Sequence, residues 1–550
     1  MKHTAIIIVV TALLCLLRCR AAFALDGGTV RVNPRNGWRA FEVISTGDNP
    51  AGDGVDWAMP LSFDGIGAWL PNANTLRLNV NHETSDATMS EVNLDLANLR
   101  TAIRNVIGTG ATGGISFVTS AQQAYGRWSA NGGASWTATS SAATTAFSRF
   151  CSSQTFAPDT FGSGRGVVDY VHMTGEEASG GRLFALDLAN RDLYQLSGVT
   201  GSASGGIGGL PFDDFENAAL IDTGDTSHVA ILLNADIAAP ETRNPWLYIG
   251  DKGKDAAGNP STSFLARNGL AYGSYYYLND TLPASGTSSD GFFDTSPADA
   301  LVASKFEDID TSPTNPTQVV MGVQETGLFV LDFRLDFSGG GFNAAASGFS
   351  ITKIQNQNNN IDDAFGDADN VDWSAATTLG GVDYPSGLIF VNEDTGTRNG
   401  ETWMMLPNGR SLTKIADTAP TDTATTETSG ILDISTLVGY KPGSVLVTNN
   451  QGTEASLSVL VNPNATLAGD VNGNGIVDAA DYVAWRNASG ASSSSGYASW
   501  RAQFGQAISA IGSAANRAPA AVPEHVAGVF LIWSLASVYG MRRVRCANFS

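Results

Sequence analysis

The 550-residue sequence has few charged side chains and little sign of long helices. Charged residues make up 15% of the chain, whereas glycine alone occurs 61 times. So few charges argue against long salt-bridged helices, and the glycine content favours short strands joined by turns. Hydrophobic residues still amount to 43%, which is enough to bury a large core. The sequence therefore predicts an all-β body.

Basic residues are fewer than acidic residues. Lys and Arg total 31 against 53 Asp and Glu, which leaves a formal net charge of -22. Such a surface repels nucleic-acid phosphates and anionic lipid, and no basic stripe interrupts it. We therefore expect no nucleic-acid partner. An acidic surface keeps a secreted protein soluble, and it is also compatible with calcium, because hard cations take carboxylate oxygens.

Cysteine is nearly absent from the body of the chain. Of the four cysteines, Cys15 and Cys19 lie near the N-terminus and Cys546 lies near the C-terminus. Cys151 remains, and a lone cysteine cannot form a disulfide within the body. It is either an inert buried thiol or a group with chemistry of its own.

Residues 1–24 have the features of a secretion signal. Lys2 and His3 precede the apolar run 5–17, and the small-x-small sequence at 22–24 suits signal peptidase. The run is too short to span a bilayer comfortably. We expect an exported protein whose mature chain begins at Leu25 and which resides at the cell envelope or outside the cell.

The C-terminal residues have the layout of a sorting tail. After a linker at 509–521, Val522-Pro523-Glu524-His525 leads into the apolar stretch 526–541 and an arginine cluster at 542–545. This order resembles the PEP-CTERM tails of bacteria, with His525 where that family has a second proline. The resemblance implies that 522–550 is a sorting segment with a short membrane helix and that a sorting protease is a partner. A plain membrane anchor with arginines on the inner side is the alternative.

Residues 463–508 contain the pattern of a calcium loop. Between positions 470 and 481, oxygen donors recur at the spacing of such a loop, with Gly475 at the sharp turn. The donors are Asp470, Asn472, Asn474, the backbone carbonyl of Ile476, Asp478 and Asp481. The spacing predicts a Ca²⁺ site of modest affinity, because Asp481 replaces a bidentate glutamate.

The helix predicted after this loop is repeated. The residues at 481–486 are echoed at 496–501, so we expect two helices of a duplicated unit. The unit resembles the type I dockerin family, with a serine run at 492–495 where that family has a second calcium loop. The resemblance implies a cohesin-like partner, and a calcium-stabilised spacer is the alternative.

One hairpin pattern recurs in the body, between residues 25 and 462. The segments 182–187, 327–332 and 401–406 are short apolar strands near a glycine, and the first and third lead through polar turns into a second strand. A hairpin repeated along a large domain is typical of a β-propeller, in which every blade has the same strand order. A large β-sandwich is the alternative. An amphipathic helix pattern covers 89–106.

Short motifs rich in acidic residues are spread along the same body. They are Asn81-His82-Glu83, Arg149-Phe150-Cys151-Ser152-Ser153, Thr174-Gly175-Glu176-Glu177, Phe215-Glu216, Lys305-Phe306-Glu307, Asp369-Asn370-Val371-Asp372 and Glu393-Asp394. Their order between residues 64 and 450 resembles the PhoX-type alkaline phosphatases. In that family a Cys-Ser-Gly motif precedes a Glu-Glu pair on a six-bladed propeller, so the resemblance implies six blades.

The same resemblance implies a cluster of Fe³⁺ and Ca²⁺ at the mouth of the channel, where phosphate monoesters are hydrolysed. Iron-side ligands would be Cys151 and either Glu176 or Glu177, since the spacing leaves both open. Calcium ligands would be Glu216, Glu307, Asp369 and Asp394. Lys305 stands where the family has an arginine that clamps phosphate, and an ammonium is a point charge without the bidentate fork.

Two other functions compete with an extracellular phosphoesterase. A non-catalytic, calcium-binding surface propeller is favoured by the lysine at 305, whereas Cys151 favours the enzyme. A dockerin-bearing component of a polysaccharide-degrading assembly predicts paired acids across a sugar cleft, and no convincing pair stands out. His82, His172 and His228 fit hydrogen-bonded structural roles better than metal ligation.

Overall fold

The computed structural model of the protein describes part of the chain. The described residues are 31–508 without 51–55, 140–146, 198–212, 238–240, 325, 359–363, 395–399, 419–426, 453 and 488–493. The predicted signal at 1–24, linker at 509–521 and sorting segment at 522–550 lie outside them. Within the described residues, no helix has both the length and the apolar character needed to cross a bilayer. The contacts separate one unit that ends at Ala468 from a second at Gly469–Ala507.

The first unit is built from antiparallel sheets, as the sequence predicts. Two strands come first along the chain, β1 (Val32–Pro34) and β2 (Arg39–Ser45). The first sheet contains β3 (Phe63–Asn72), β4 (Thr75–His82), β5 (Thr88–Asp95) and β6 (Val118–Gln123). The second has β7 (Arg127–Ser129) and β8 (Thr137–Ala138) at its outer edge, beside β9 (Phe150–Phe156), β10 (Val171–Glu176), β11 (Leu183–Asp187) and β12 (Asp192–Gln195).

The third and fourth sheets share a strand. The third contains β13 (Phe215–Ile221), β14 (His228–Ala235), β15 (Trp246–Asp251) and β16 (Gly273–Asn279). Next comes β17 (Gly286–Asp294). The fourth contains β18 (Phe306–Thr311), β19 (Gln318–Val323), β20 (Gly327–Arg334) and β21 (Gly348–Asn356). Because β17 pairs with both β16 and β21, it joins the outer edges of the two sheets.

The last two sheets recruit the N-terminal strands. The fifth contains β22 (Ala368–Trp373), β25 (Ile389–Glu393), β26 (Glu401–Met405) and β27 (Thr413–Thr418), and β23 (Thr377–Leu379) and β24 (Val382–Tyr384) form a small separate hairpin. The sixth contains β28 (Thr428–Asp433), β29 (Val445–Asn450) and β30 (Ser456–Val461). β1 pairs with β27, and β2 pairs with β30 as the outer strand of the sixth sheet.

The first strands of these sheets contact one another in a closed series. β3 contacts β9, β9 contacts β13, and the series continues through β18, β22 and β28 back to β3. Sheets whose innermost strands close a ring around a common axis are the blades of a β-propeller. The β-sandwich alternative is wrong, because two facing layers form no such ring. The three recurring segments noted in the sequence are β11, β20 and β26, each the third strand of its blade.

Apolar side chains fill the spaces between neighbouring blades. Met173 and Leu183 of the second blade pack with Phe215 and Ile231 of the third, and equivalent clusters join the other blades. Because both faces of these strands are buried, few positions in the blades suit polar side chains. The central channel, which the innermost strands line, provides such positions.

The predicted helix at 89–106 begins later than the sequence suggests. Residues up to Asp95 belong to β5, which pairs with β4 on one side and β6 on the other. Helix α1 (Leu96–Thr109) starts there because the Asp95 carboxylate accepts a hydrogen bond from the Asn98 amide. Its apolar face, with Leu99 and Ile103, is buried. Two single-turn helices, α2 (Phe264–Arg267) and α3 (Ser435–Val438), also occur in this unit.

The second unit contains the predicted calcium loop and two helices, α4 (Ala479–Asn487) and α5 (Ser494–Gln503). The helices coincide with the repeated sequences at 481–486 and 496–501. Rings from both helices pack together, with centroid distances of 5.0 Å for Tyr482–Trp500 and 5.9 Å for Trp485–Tyr497. This aromatic packing explains why the Tyr and Trp of the motif are repeated.

Candidate metal centre

The acidic motifs meet at one end of the propeller channel. In every blade the first residue of the innermost strand pairs with the last residue of the second strand, as Phe63 does with His82. The next residue along each innermost strand is therefore close to the residue that follows each second strand. The innermost strands contribute Asp64, Cys151, Glu216, Glu307, Asp369 and Ser429. The second strands are followed by Glu83, Glu177, Asp236, Gln324, Asp394 and Gln451. We call these two sets together the acidic ring.

Three groups within the acidic ring could each hold a metal ion. They are Asp64–Glu83–Cys151, Cys151–Glu177–Glu216 and Glu216–Glu307–Asp369. Within each group, one ligand atom per residue lies within 4.8 Å of the others. Cys151 and Glu216 each belong to two groups, so the three candidate sites form a continuous series with shared ligands. Sharing of this kind is what a cluster of several metal ions requires.

Burial and mutual repulsion raise the pKa values of several acids of the ring. Glu216 and Asp369 are 2% and 7% exposed, and loss of water raises the pKa of each well above its usual value. Neighbouring carboxylates raise these pKa values further, Glu307 next to Glu216 and Asp64 next to Asp369. Burial likewise raises the pKa of Glu177 to about 8 and that of the Cys151 thiol well above its ordinary range. A bound cation would reverse this preference for the protonated forms.

Two basic side chains lie among these acids, each on the residue just before an innermost strand. Lys305 Nζ is 3.3 Å from Glu307 Oε1, 3.4 Å from Asp236 Oδ2 and 3.8 Å from Asp394 Oδ2. These three carboxylates raise the pKa of the lysine against the effect of burial. Arg149 Nε lies 2.7 Å from Glu83 Oε1, and its Nη2 lies 2.5 Å from both carboxylate oxygens of Glu177.

A chain of hydrogen bonds fixes two of the ring carboxylates. Asp64 Oδ1 lies 2.8 Å from Ser429 Oγ, which in turn lies 2.9 Å from Asn370 Oδ1. Asn370 Nδ2 donates to Ser152 Oγ at 2.7 Å, and Ser152 Oγ donates to Glu216 Oε1 at 2.5 Å. The chain runs through the first, sixth, fifth, second and third blades, so it orients candidate ligands from two blades that are not neighbours.

The structure separates the two members of the glutamate pair. The Glu176 carboxylate is bound by Arg182, with Nε 2.6 Å from Oε2 and Nη2 2.5 Å from Oε1, and it is absent from the three groups. Glu177 is the member that joins Cys151, with Sγ 2.6 Å from Oε2. Asp394 lies beside Lys305 and accepts from Gln324 Nε2 at 2.9 Å, outside the three groups.

The three histidines of the body have hydrogen-bonded positions, as the sequence predicts. His82 Nε2 lies 2.7 Å from Ser90 Oγ, and burial lowers the pKa of the ring to about 4. His172 Nδ1 lies 2.9 Å from Thr155 Oγ1, and burial lowers its pKa to about 3. His228 pairs with Asp225 at 2.9 Å. The low pKa values of His82 and His172 keep these two buried imidazoles neutral near pH 7.

The sequence motifs do not single out Asp64 as a candidate ligand. Its signal is an aromatic residue followed by an acid or cysteine at the start of the innermost strand, as in Phe63-Asp64 and Phe150-Cys151. The same dipeptide pattern recurs at Phe215-Glu216 and Phe306-Glu307. Asp236 was also missed, because its position after the second strand becomes informative only when the blades are aligned.

The predicted calcium loop is organised around two buried carboxylates. Asp481 Oδ1 accepts from the amides of Val471 at 2.9 Å and Asn472 at 3.0 Å, and Oδ2 accepts from Asp478 N at 2.8 Å. Asp470 Oδ2 accepts from Gly475 N at 2.7 Å. The remaining donor residues, Asn472, Asn474, Ile476 and Asp478, lie on the loop between them, partly or fully exposed.

A scan against protein-family models finds no match for this chain, and a search of curated proteins finds none either. Among solved structures, the Cps50 (Swd1) β-propeller domain from Myceliophteria thermophila is 9% identical with a TM-score of 0.31, covering 78% of this chain and 99% of that one. A Trypanosoma rangeli sialidase is 8% identical, with a TM-score of 0.31 and coverage of 78% and 59%. The periplasmic gluconolactonase PpgL of Pseudomonas aeruginosa is 10% identical, with a TM-score of 0.29 and coverage of 73% and 86%. Values this low transfer no activity, and the propeller assignment rests on the ring of innermost strands.

Proposed function

We propose that the propeller is a metal-dependent phosphoric ester hydrolase that acts on phosphate monoesters outside the cell. The observation that carries the proposal is the series of three ligand groups that share Cys151 and Glu216. Nothing in a purely structural channel requires a thiol and carboxylates from neighbouring blades to converge in this way. The order of motifs that resembles the PhoX-type alkaline phosphatases supports the same reaction.

The donor set fits two kinds of metal ion. Cys151, Glu177 and Glu216 combine a thiolate with carboxylates, which suits iron, whereas Glu216, Glu307 and Asp369 offer the oxygen donors that Ca²⁺ prefers. Asp236 offers one further oxygen to a metal ion. The residue is 4% exposed, and its Oδ1 has no hydrogen-bond partner among the described residues. Bound there, metal ions would polarise phosphoryl oxygens and offset the negative charge that develops during transfer.

The protein's own residues supply orientation and charge balance. Ser152 Oγ donates to Glu216 Oε1 at 2.5 Å, and Asn370 Nδ2 in turn donates to Ser152 Oγ at 2.7 Å. Lys305 partly neutralises Asp236, Glu307 and Asp394 without a metal ion, so this side of the ring needs fewer cations. Among the residues that the structure describes, Arg149 is the basic side chain paired with carboxylates around Cys151, so these carboxylates most need metal ions.

Elemental analysis of the purified chain, combined with turnover of p-nitrophenyl phosphate, tests the proposal. We expect iron and calcium in the parent protein, and we expect Cys151→Ser to lose iron and at least about 100-fold in activity. Glu176→Gln is the matched control for Glu177→Gln. The two residues are adjacent, but only Glu177 contacts Cys151, so only its substitution is expected to remove iron.

The competing proposal is a non-catalytic propeller that binds calcium at the cell surface. Lys305 favours it, because the ammonium is surrounded by carboxylates and is not presented to a substrate. Calcium without iron, no turnover, and an unchanged metal content in Cys151→Ser would establish this alternative. Export, the sorting protease, and a cohesin-like partner for the second unit stay predictions of the sequence.

A further inference from the structure

The two basic side chains of the acidic ring differ in what they can still bind. Lys305 Nζ has carboxylate oxygens of three residues within 3.8 Å, and its side chain is 24% exposed. The contact with Glu307 Oε1 at 3.3 Å is a hydrogen bond, and the carboxylates of Asp236 and Asp394 are ion-pair partners of the same ammonium. The lysine predicted to clamp phosphate is therefore already engaged with the protein.

Arg149 has N–H donors that no described residue uses. Its side chain is 45% exposed, and a guanidinium carries five N–H donors in a rigid plane. Nε bonds to Glu83 and Nη2 bonds to Glu177, while Nη1 has no hydrogen-bond partner among the described residues. Two carboxylates thus hold the guanidinium in place and leave one amino group for a ligand.

The guanidinium lies next to the candidate metal ligands. Glu177 Oε2 is 2.5 Å from Arg149 Nη2 and 2.6 Å from Cys151 Sγ. Glu83, the other partner of Arg149, belongs to the group with Asp64 and Cys151. The arginine therefore connects two of the three ligand groups, and an anion bound to a metal ion in either group would lie beside it.

The backbone of Arg149 is also fixed. Its φ of +47° is in the left-handed region, which a non-glycine residue adopts only when its surroundings enforce it. Its amide donates to Thr84 O at 2.8 Å, and its carbonyl accepts from Glu177 N at 2.9 Å. Main chain and side chain are both held before any ligand arrives, so little conformational entropy is lost on binding.

We propose that Arg149, and not Lys305, is the residue that binds the non-bridging oxygens of a phosphate monoester in this site. The proposal rests on the proposed hydrolase function and names the residue that recognises its substrate. The ring carries more acids than these two cations offset, so the anion enters only after metal ions have bound. A guanidinium donates to phosphate oxygens from a rigid, planar set of N–H groups, whereas an ammonium is a point charge without that fixed geometry.

Calorimetric titration of inorganic phosphate into the metal-loaded full chain tests the proposal without requiring turnover. We expect Arg149→Gln to weaken phosphate binding by at least about tenfold, and Arg149→Lys to weaken it less, because the charge is kept while the geometry is lost. Arg127→Lys is the matched control. Arg127 is 48% exposed and bonds to Asp192 through the same Nε and Nη2 atoms, on β7 at the outer edge of its blade.

Metal content, measured on every variant, separates the outcomes. Phosphate affinity that is unchanged in Arg149→Gln overturns the proposal, and so does a loss of affinity in Arg149→Lys that follows a loss of metal. If the parent protein binds phosphate through Arg149 but hydrolyses no ester, the role of Arg149 in phosphate binding stands and the hydrolase function does not. If Arg149→Gln hydrolyses the ester with an unaltered KM, the hydrolase function stands and the role of Arg149 does not.

Discussion

Glu307 and Asp308 are neighbours on the same innermost strand and are both buried, yet their carboxylates have different surroundings. Glu307 faces Lys305 and other acids of the ring. Asp308 instead accepts from the backbone amides of Val371 at 2.9 Å and Ile309 at 2.7 Å. Two residues further on, Asp310 accepts from the amides of Trp373 at 2.6 Å and Thr311 at 2.7 Å.

The two kinds of surroundings have different effects on the pKa values of these acids. Burial raises the pKa of Asp308 and of Asp310 to about 7, and the backbone amides oppose the rise. Burial raises the pKa of Glu307 well above its usual value, and the next largest effect, from Asp236, raises it further. Asp308 and Asp310 fasten β18 to β22 through these amides, whereas Glu307 shares the single ammonium of Lys305 with Asp236 and Asp394. The acidic ring is therefore the part of the channel that calls for a bound cation.

The largest expected effect is the pH dependence of the metal-free protein, and the part of it that metal ions remove belongs to the ring acids. Carboxylates with a raised folded-state pKa keep their protons while the unfolded chain releases them, so stability is lost as pH rises. For Glu177 the loss extends from about pH 4.5 to about pH 8. Each unit of pKa difference is worth about 1.4 kcal/mol, so several ring acids together cost a few kcal/mol.

Denaturant unfolding at pH 5 and pH 8, with metal ions bound and after chelation, measures this effect. We expect the chelated protein to be less stable at pH 8 than at pH 5, and we expect metal ions to remove most of the difference. Chelated protein that is equally stable at both values would contradict the view that the ring needs a counter-charge.

A pair of adjacent substitutions tests the comparison within one strand. Asp308→Asn should lower the free energy of unfolding by about 2 kcal/mol, because it weakens buried bonds to backbone amides, with no change in metal content. Glu307→Gln should lower metal affinity at least about tenfold and leave the chelated protein as stable or more stable. Unfolding curves and metal titrations on both variants give the answer, and the reverse assignment of effects would invalidate the distinction.

A smaller effect is expected for a residue that acts through a ring acid. Ser152→Ala removes the hydroxyl that bonds to Glu216, and we expect metal affinity to fall by about tenfold. Ser153→Ala is the control, because Ser153 is adjacent and buried and its Oγ has no hydrogen-bond partner among the described residues. Equal metal affinities for the two variants would show that the hydrogen-bond chain does not position Glu216.

The smallest effect on the whole protein is expected in the second unit. Its acids test whether bonding to backbone amides and binding a cation exclude each other. Asp470 and Asp481 accept bonds from backbone amides, as Asp308 does, although their spacing predicts Ca²⁺ binding. We expect Asp481→Asn to weaken one Ca²⁺ site by about tenfold in a calcium titration of the full chain, with ring metals retained. An unaltered titration would mean that these acids only fasten the loop.

The strands and the repeated hairpin could be read from the sequence, because apolar segments and polar turns are local signals. The start of α1 could not, since residues 88–95 have a pattern that also suits a helix, and their pairing with β4 and β6 decides the outcome. Ring closure depends on contacts between strands that are far apart in the sequence, which leave no local signal.

The ring acids were predicted from the order of motifs that resembles a known family, and Asp64 was missed because none of those motifs includes it. The pair Glu176 and Glu177 illustrates a second limit. The pairing of β10 with β9 shifts register between Thr174 and Glu176, and such a bulge changes which side chain faces the channel. Spacing along the chain carries no information about that shift, so the sequence left both glutamates open.

The sixth blade has a consequence for how the protein is made. Its outer strand, β2, is among the first to leave the ribosome, and its other three strands are the last of the propeller to follow. Gln451, which bonds to Asp64, lies 387 positions further along the chain. A growing or proteolytically shortened chain therefore lacks both the closed ring and the complete set of groups that hold its first acid. If the ring binds metal ions as proposed, binding at Asp64 would be fully supported only after the last blade supplies Ser429 and Gln451.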